Sequence, residues 1–252
     1  MQVVLRNLRD YARRHGYGVL QWDKSPCESS GRHVLWSKIP ALYYALVHLP
    51  TSYLWWQDAD SLFVLPERSL EFLKPQHGSS LTIAGDHNCY INTGHFMLAN
   101  TSWTYQFLDD IWVKGRPPLG PHPWQWPEQA MILYIISGWP KKCSRHAEIC
   151  CQKPDTFDTQ NVDLRRNDDV HVYLPDFKRG ESFIVHFARN VRGVPHSREK
   201  MMRDWDSDPS RTLNAWNDFY VKRRVDALLK AKKKAAVALL NETAKRSHRS
   251  AT

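Results

Sequence analysis

A chain of 252 residues with 42% hydrophobic and 24% charged residues has an ordinary globular composition, sized for one large domain or two small ones. Its 11 Trp, 10 Tyr and 9 Phe supply too much apolar surface for disorder along the whole length. The longest apolar runs, residues 41–47 and 130–136, fall far short of the roughly 18–20 residues of a membrane-spanning helix, and Arg6, Arg9, Asp10, Arg13 and Arg14 break up any secretory leader at the N-terminus.

The formal net charge of +9 is unevenly placed. Residues 222–252 hold ten Lys or Arg against two acids, whereas the rest of the chain is nearly balanced. Such a tail is read as a solvated helix or extension, with phosphate, acidic glycan or membrane surface as the alternative contacts. No aromatic residue follows Tyr220, so the tail lacks a stacking platform and nucleic acid ranks last among its partners. Five cysteines leave one unpaired. Cys143 and the Cys150–Cys151 pair are spaced for bridging in an oxidising compartment, while Cys143, His146 and Cys150 match no standard zinc-finger spacing.

In chain order, residues 2–14 read as a basic amphipathic helix ended by His15-Gly16, and residues 17–22 as a short strand. A loop over 25–31 precedes a helix over 36–47 that tolerates Pro40 in its first turn. Residues 52–57 read as a buried strand running into Asp58-Ala59-Asp60. A short helix over 66–73, strands over 80–85 and 95–99, and a helix over 101–113 follow. Residues 114–127 contain five prolines together with Trp124 and Trp126, which suggests a packed, ligand-facing loop. A nearly all-apolar helix over 128–137, strands over 170–174 and 183–187, and a long helix from Pro209 complete the pattern. Alternating strands and helices imply an α/β domain with a mostly parallel central sheet flanked by helices on both faces. Ligands in such folds bind at the carboxyl ends of strands, and Asp58-Ala59-Asp60 is expected at one of them.

Two aspartates separated by one residue face the same way in an extended segment and repel. A hard divalent cation relieves that repulsion, and oxygen ligands suit magnesium or manganese. The plainer alternative is a solvated turn in which Asp58 caps the next element. The aromatic run Tyr53-Leu54-Trp55-Trp56 favours the cation, because it puts the acids at the mouth of a core strand.

At this point the sequence resembles a family. The segment from Trp55 through Asp58-Ala59-Asp60 to Phe63 is similar to the metal-binding signature of glycosyltransferase family 34, the galactosyl/mannosyl/xylosyltransferases. Ile91-Asn92-Thr93-Gly94-His95-Phe96, with Asn100 and Trp103 after it, resembles that family's second signature. Tyr11-Ala12, His15-Gly16-Tyr17, Trp36 with Lys38, Glu128-Gln129 and His186-Phe187 match in the same order.

The resemblance implies a GT-A fold over residues 1–208, followed by a C-terminal helix and basic tail over 209–252. It also implies metal-dependent transfer of a hexosyl or pentosyl unit from a nucleotide-diphosphate sugar to a glycan acceptor, with retention of anomeric configuration. Mn2+ or Mg2+ would be held by Asp58, Asp60 and His186. Asp58, Lys38, Asn92, Thr93 and Gly94 would face the donor, the last three as a turn at the sugar. Gln129 and Glu128 would serve catalysis, Gln129 near the anomeric carbon. A Golgi-lumen setting and glycosyltransferase complex partners come with the family. The chain departs from the pattern in three places. The family's first nucleotide-binding strand has no counterpart, His95 replaces a small serine, and residues 189–193 replace a Gly-Cys-Lys-Pro-like segment. The competing reading is a non-catalytic relative that binds a glycan or sugar nucleotide as a partner subunit.

Overall fold

The computed structural model describes residues 2–22, 24–86, 90–115, 127–137, 158–173, 176–187 and 198–208. The chain divides into two compact units. The first holds residues 1–173 and 177–188, and the second holds 174–176 and 189–252. The loop bearing Trp124 and Trp126, Cys89, Cys143, His146, Cys150, Cys151 and the tail from residue 209 all lie outside the described residues. None of the described helices is long and apolar enough to cross a membrane.

The first unit opens with helix α1 (Gln2–His15), which buries Val4, Tyr11 and Ala12 on one face. A single 3-10 turn (Val34–Ser37) leads into α2 (Lys38–His48), with Pro40 in the first helical turn, where its missing N–H costs no intrahelical bond. Helix α3 (Ser102–Lys114) is started by Thr101, whose side chain accepts a hydrogen bond from the Thr104 amide. Helix α4 covers Pro127–Ser137 and a short α5 covers Asn167–Val170.

Two sheets run through this unit. In the larger, strand β1 (Tyr53–Gln57) pairs with β4 (Tyr90–Ala99), β4 with β3 (Leu81–Asp86), and β3 with β5 (Val162–Arg165). In the smaller, β7 (Ile184–His186) lies between β2 (Ser61–Phe63) and β6 (Val172–Tyr173). The α/β class expected from the sequence holds, but the sheets are mixed and not mostly parallel. Three of the five described pairings are antiparallel, and only β3–β5 and β6–β7 run parallel.

Alternation along the strands explains why both faces of the larger sheet are covered. Phe96 and Leu98 of β4 join a core with Ile39 and Leu42 of α2, Phe107 and Ile111 of α3, and Ile132 of α4. Met97, between them, points into a second cluster with Tyr11 of α1, Phe63 and Phe183. Tyr11 stacks on Phe63 at 3.6 Å between ring centroids and donates its hydroxyl to the Arg68 carbonyl at 2.7 Å. Burial, with the neighbouring Tyr17, raises that phenol well above the usual range.

Several expectations need correction. Among the described residues strand β1 lies at the edge of its sheet with partly exposed side chains, so it is not a fully buried strand. Residues 17–22 form no ladder. With β1, α1 and α2 they line a cleft of about 890 Å³ along the open edge of β1. Of the helix expected over 66–73, only a 3-10 turn at Leu70–Leu73 forms. The segment expected as a strand from residue 170 begins with the end of α5, and only Val172–Tyr173 pairs.

In the second unit the described element is helix α6 (Arg198–Ser207), which buries Met201, Met202 and Trp205 at positions one turn apart. Its exposed side carries the ion pair of Lys200 with Asp204 at 2.7 Å.

Candidate metal centre and donor-facing residues

Asp58, Ala59 and Asp60 lie where the chain passes from one sheet to the other, between β1 and β2. They form a turn, not the extended continuation of a strand that the sequence suggested. Each acid is held by a different ladder. The Asp58 amide donates to the Gly94 carbonyl at 2.8 Å, extending the β1–β4 pairing, and the Phe187 amide donates to the Asp60 carbonyl at 2.7 Å, extending β2–β7. The second ladder brings His186 to Asp60, with Nε2 at 3.2 Å from Oδ1.

One ligand atom from each of Asp58, Asp60 and His186 falls within 4.8 Å of the others. Two carboxylates and an imidazole form a donor set that suits a hard to borderline divalent cation, manganese above all. Trp56 Nε1 donates to Asp58 Oδ1 at 2.7 Å, and the Lys38 ammonium lies 3.4 Å from the same oxygen. Both contacts fall on Oδ1.

Lys38 is not a surface lysine. Only 4% exposed, its Nζ lies 3.2 Å from Glu128 Oε1 and donates to the Thr93 carbonyl at 3.0 Å. Burial alone would push the ammonium down in pKa, but the Asp58 and Glu128 carboxylates outweigh it and the pKa is raised. Glu128 is itself buried, and its Oε2 has no hydrogen-bond partner among the described residues. Lys38 therefore ties α2, α4, β4 and the aspartate turn together through one charge.

Asn92, Thr93 and Gly94 lie within β4 and do not form the turn that was expected. The register of β4 against β3 slips between Ile83, opposite Phe96, and Ala84, opposite Asn92, so residues 93–95 bulge from the ladder. The Asn92 side chain holds the bulge by accepting from the Gly94 amide at 2.8 Å and donating to the Tyr173 hydroxyl at 2.9 Å. Gln129 presents its amide oxygen to the Thr93 amide at 3.2 Å and to the Thr93 hydroxyl at 3.3 Å. Its oxygen is thus bound to the bulge in this state.

Gly94 has a steric role that the sequence did not reveal. A Cβ there would stand 2.6 Å from His186 Cε1 and 2.9 Å from Asn92 Oδ1. The His186 ring is buried, with His95, His171 and Tyr173 around it, so it has little room to move away. Gly94→Ala is expected to cost about 1–3 kcal/mol of stability, read from urea unfolding, as an overpacked core does.

His171 was missed by sequence reasoning. It follows α5 directly and is fully buried, yet Val-His-Val carries no motif that distinguishes it from a core residue. Burial, reinforced by neighbouring rings, holds both His95 and His171 well below the usual histidine range.

Comparison with known proteins matches residues 1–84 to the galactosyl transferase GMA12/MNN10 family. The matched segment carries Lys38 and the Asp58-Ala59-Asp60 turn, so the N-terminal third of the chain is similar to this family. Among curated relatives it is 34% identical over 129 residues to the probable xyloglucan 6-xylosyltransferase 1 of Oryza sativa subsp. indica, covering 46% of this chain and 26% of that one. It is 28% identical over 226 residues to the probable glycosyltransferase 6 of the same plant, covering 79% of this chain and 46% of that one. The galactomannan galactosyltransferase 1 of Cyamopsis tetragonoloba is 27% identical over 121 residues, covering 44% and 27%. The chain thus spans from about a quarter to a half of the length of these relatives. Among solved structures, a glycosyltransferase involved in glycosylation of the major capsid of PBCV-1 superposes with a TM-score of 0.57 at 12% identity, covering 82% of this chain and 91% of that one. That likeness establishes the fold, which is GT-A-like.

Proposed function

We propose that this chain is a metal-dependent, retaining glycosyltransferase that moves a hexosyl or pentosyl unit from a nucleotide-diphosphate sugar to a glycan acceptor. The observation that carries the reading is the convergence of Asp58, Asp60 and His186 from two sheets onto one point. Relatives named for xylosyl and galactosyl transfer support a pentosyl or hexosyl donor. Manganese or magnesium held there would neutralise the charge that develops on the departing diphosphate.

The chain's own residues set the stage for that chemistry. Lys38 keeps Asp58 oriented through Oδ1 and carries a fixed positive charge beside the turn. Glu128 acts through Lys38 as a positioning residue, because its buried carboxylate pairs with that ammonium. Gln129 braces Thr93, so the bulge of Asn92, Thr93 and Gly94 offers a fixed wall beside the cation ligands. Such bracing is what a transferase needs to hold an anomeric carbon against its acceptor. A Golgi-lumen setting and partner glycosyltransferase subunits form part of the same proposal.

A donor panel covering UDP-xylose, UDP-galactose and GDP-mannose tests the reading, with hydrolysis and transfer followed in manganese and in excess chelator. One donor is expected to turn over in manganese and to stop in chelator. No turnover of any donor, with the protein folded and a nucleotide sugar still bound, would favour the non-catalytic binding relative.

A further inference from the structure

Behind the aspartate turn lies a second cluster of ligands. His95 from the β4 bulge, His171 from the end of α5 and His186 from β7 each place a ring nitrogen within 4.8 Å of the others. Their ring centroids stand 4.6–5.0 Å apart. His95 and His171 are fully buried and His186 is 3% exposed. Among the described residues both nitrogens of His95, both of His171 and Nδ1 of His186 have no hydrogen-bond partner. Five buried imidazole nitrogens without hydrogen-bond partners among the described residues are a large cost unless something lies between them.

We propose that His95, His171 and His186 form a three-imidazole site for a borderline transition metal, zinc above all, distinct from the site of Asp58 and Asp60 but sharing His186 with it. Three imidazoles and no carboxylate select zinc over magnesium or calcium. A fourth position remains for water or an anion. Ligand nitrogens in a tetrahedral zinc site stand roughly 3.3 Å apart, given zinc–nitrogen distances of about 2.0–2.1 Å, so the nitrogen–nitrogen distances shorten by at most about 1.5 Å on binding. Asp60 supports this arrangement. It faces Nε2 of His186, leaving Nδ1 as the nitrogen without a partner, and a carboxylate on the far nitrogen is the usual support for a metal-bound histidine.

The two sites make opposite demands on His186. A metal on Nδ1 keeps the proton on Nε2, donated to Asp60, whereas a cation among Asp58, Asp60 and His186 needs Nε2 bare. Zinc in the three-histidine site therefore competes with manganese at the aspartates. This is a regulatory consequence of the donor set and does not depend on which sugar is transferred.

The test measures metal directly. The full chain is stripped with chelator, loaded with zinc or with cobalt(II), dialysed and analysed for metal content. One equivalent of zinc is expected to remain, and cobalt is expected to show the visible absorption of a low-coordinate nitrogen site. His171→Gln should weaken zinc binding at least about 100-fold, more than the loss of a supporting contact would, while Asp58→Asn should leave it within about threefold. The cobalt spectrum of the unaltered protein stands even if His171→Gln fails to fold. No retained zinc, with water filling the pocket, overturns the proposal. So does zinc binding lost in Asp58→Asn but kept in His171→Gln.

Discussion

Lys38→Ala is expected to lower the stability of the first unit by about 3–5 kcal/mol, the scale of removing one partner from a buried ion pair. The size follows from what the substitution leaves behind. Glu128, with a side chain only 4% exposed, would keep its charge with no cation beside it, and its Oε2 already has no hydrogen-bond partner among the described residues. Asp58 is less affected, because about a third of its side chain reaches solvent. The exposed pair of Lys200 and Asp204 gives the contrast, since an i,i+4 surface pair contributes only about 0.3–0.5 kcal/mol. Urea unfolding of Lys38→Ala beside Lys200→Ala measures both. A Lys38→Met, Glu128→Gln double substitution should recover most of the loss, because it removes the buried charge together with its partner. A loss below about 1 kcal/mol in Lys38→Ala would mean that Glu128 finds another partner or takes up a proton.

The second large effect falls on turnover. Asp60→Asn keeps the size of the side chain and an oxygen toward His186 Nε2, but removes the negative charge from the turn. Donor turnover should fall on the order of 10²–10³-fold, the scale of losing one preorganised electrostatic element at a developing charge. The unfolding midpoint should barely move, since the Phe187 amide still donates to the residue 60 carbonyl and the amide oxygen still faces His186. Equal turnover in Asp60→Asn and the unaltered chain would remove Asp60 from the ligand set.

The aspartate pair was legible because an aromatic strand ending in two acids is an unusual local pattern, and β1 does end at Gln57, just before them. Lys38, Asn92, Thr93, Gly94, Gln129, Glu128 and His186 were found through motif order, and the fold does gather them around the turn. Their contacts were not legible. Whether Lys38 faces water or Glu128 depends on α4 docking against β4, a long-range event that no local window contains. Strand direction was misjudged for the same reason: alternation of elements suggests parallel crossovers, whereas β4 returns antiparallel to both β1 and β3. Residues 17–22 have the apolar character of a strand, yet propensity without a neighbouring ladder does not make one. His171 was invisible because its role comes only from two other histidines, one on β4 and one on β7, arriving at the same pocket.

The proposed role of Asp58, Asp60 and His186 is to hold the cation used in donor turnover. Titrating manganese into donor turnover for the unaltered chain and for His186→Gln, with the unfolding midpoint of each metal-free protein measured alongside, tests that role. His186→Gln should need at least about 10-fold more manganese for half-maximal turnover, with little change in metal-free stability. Turnover in excess chelator equal to that in manganese, or an unchanged manganese requirement in His186→Gln, would contradict it.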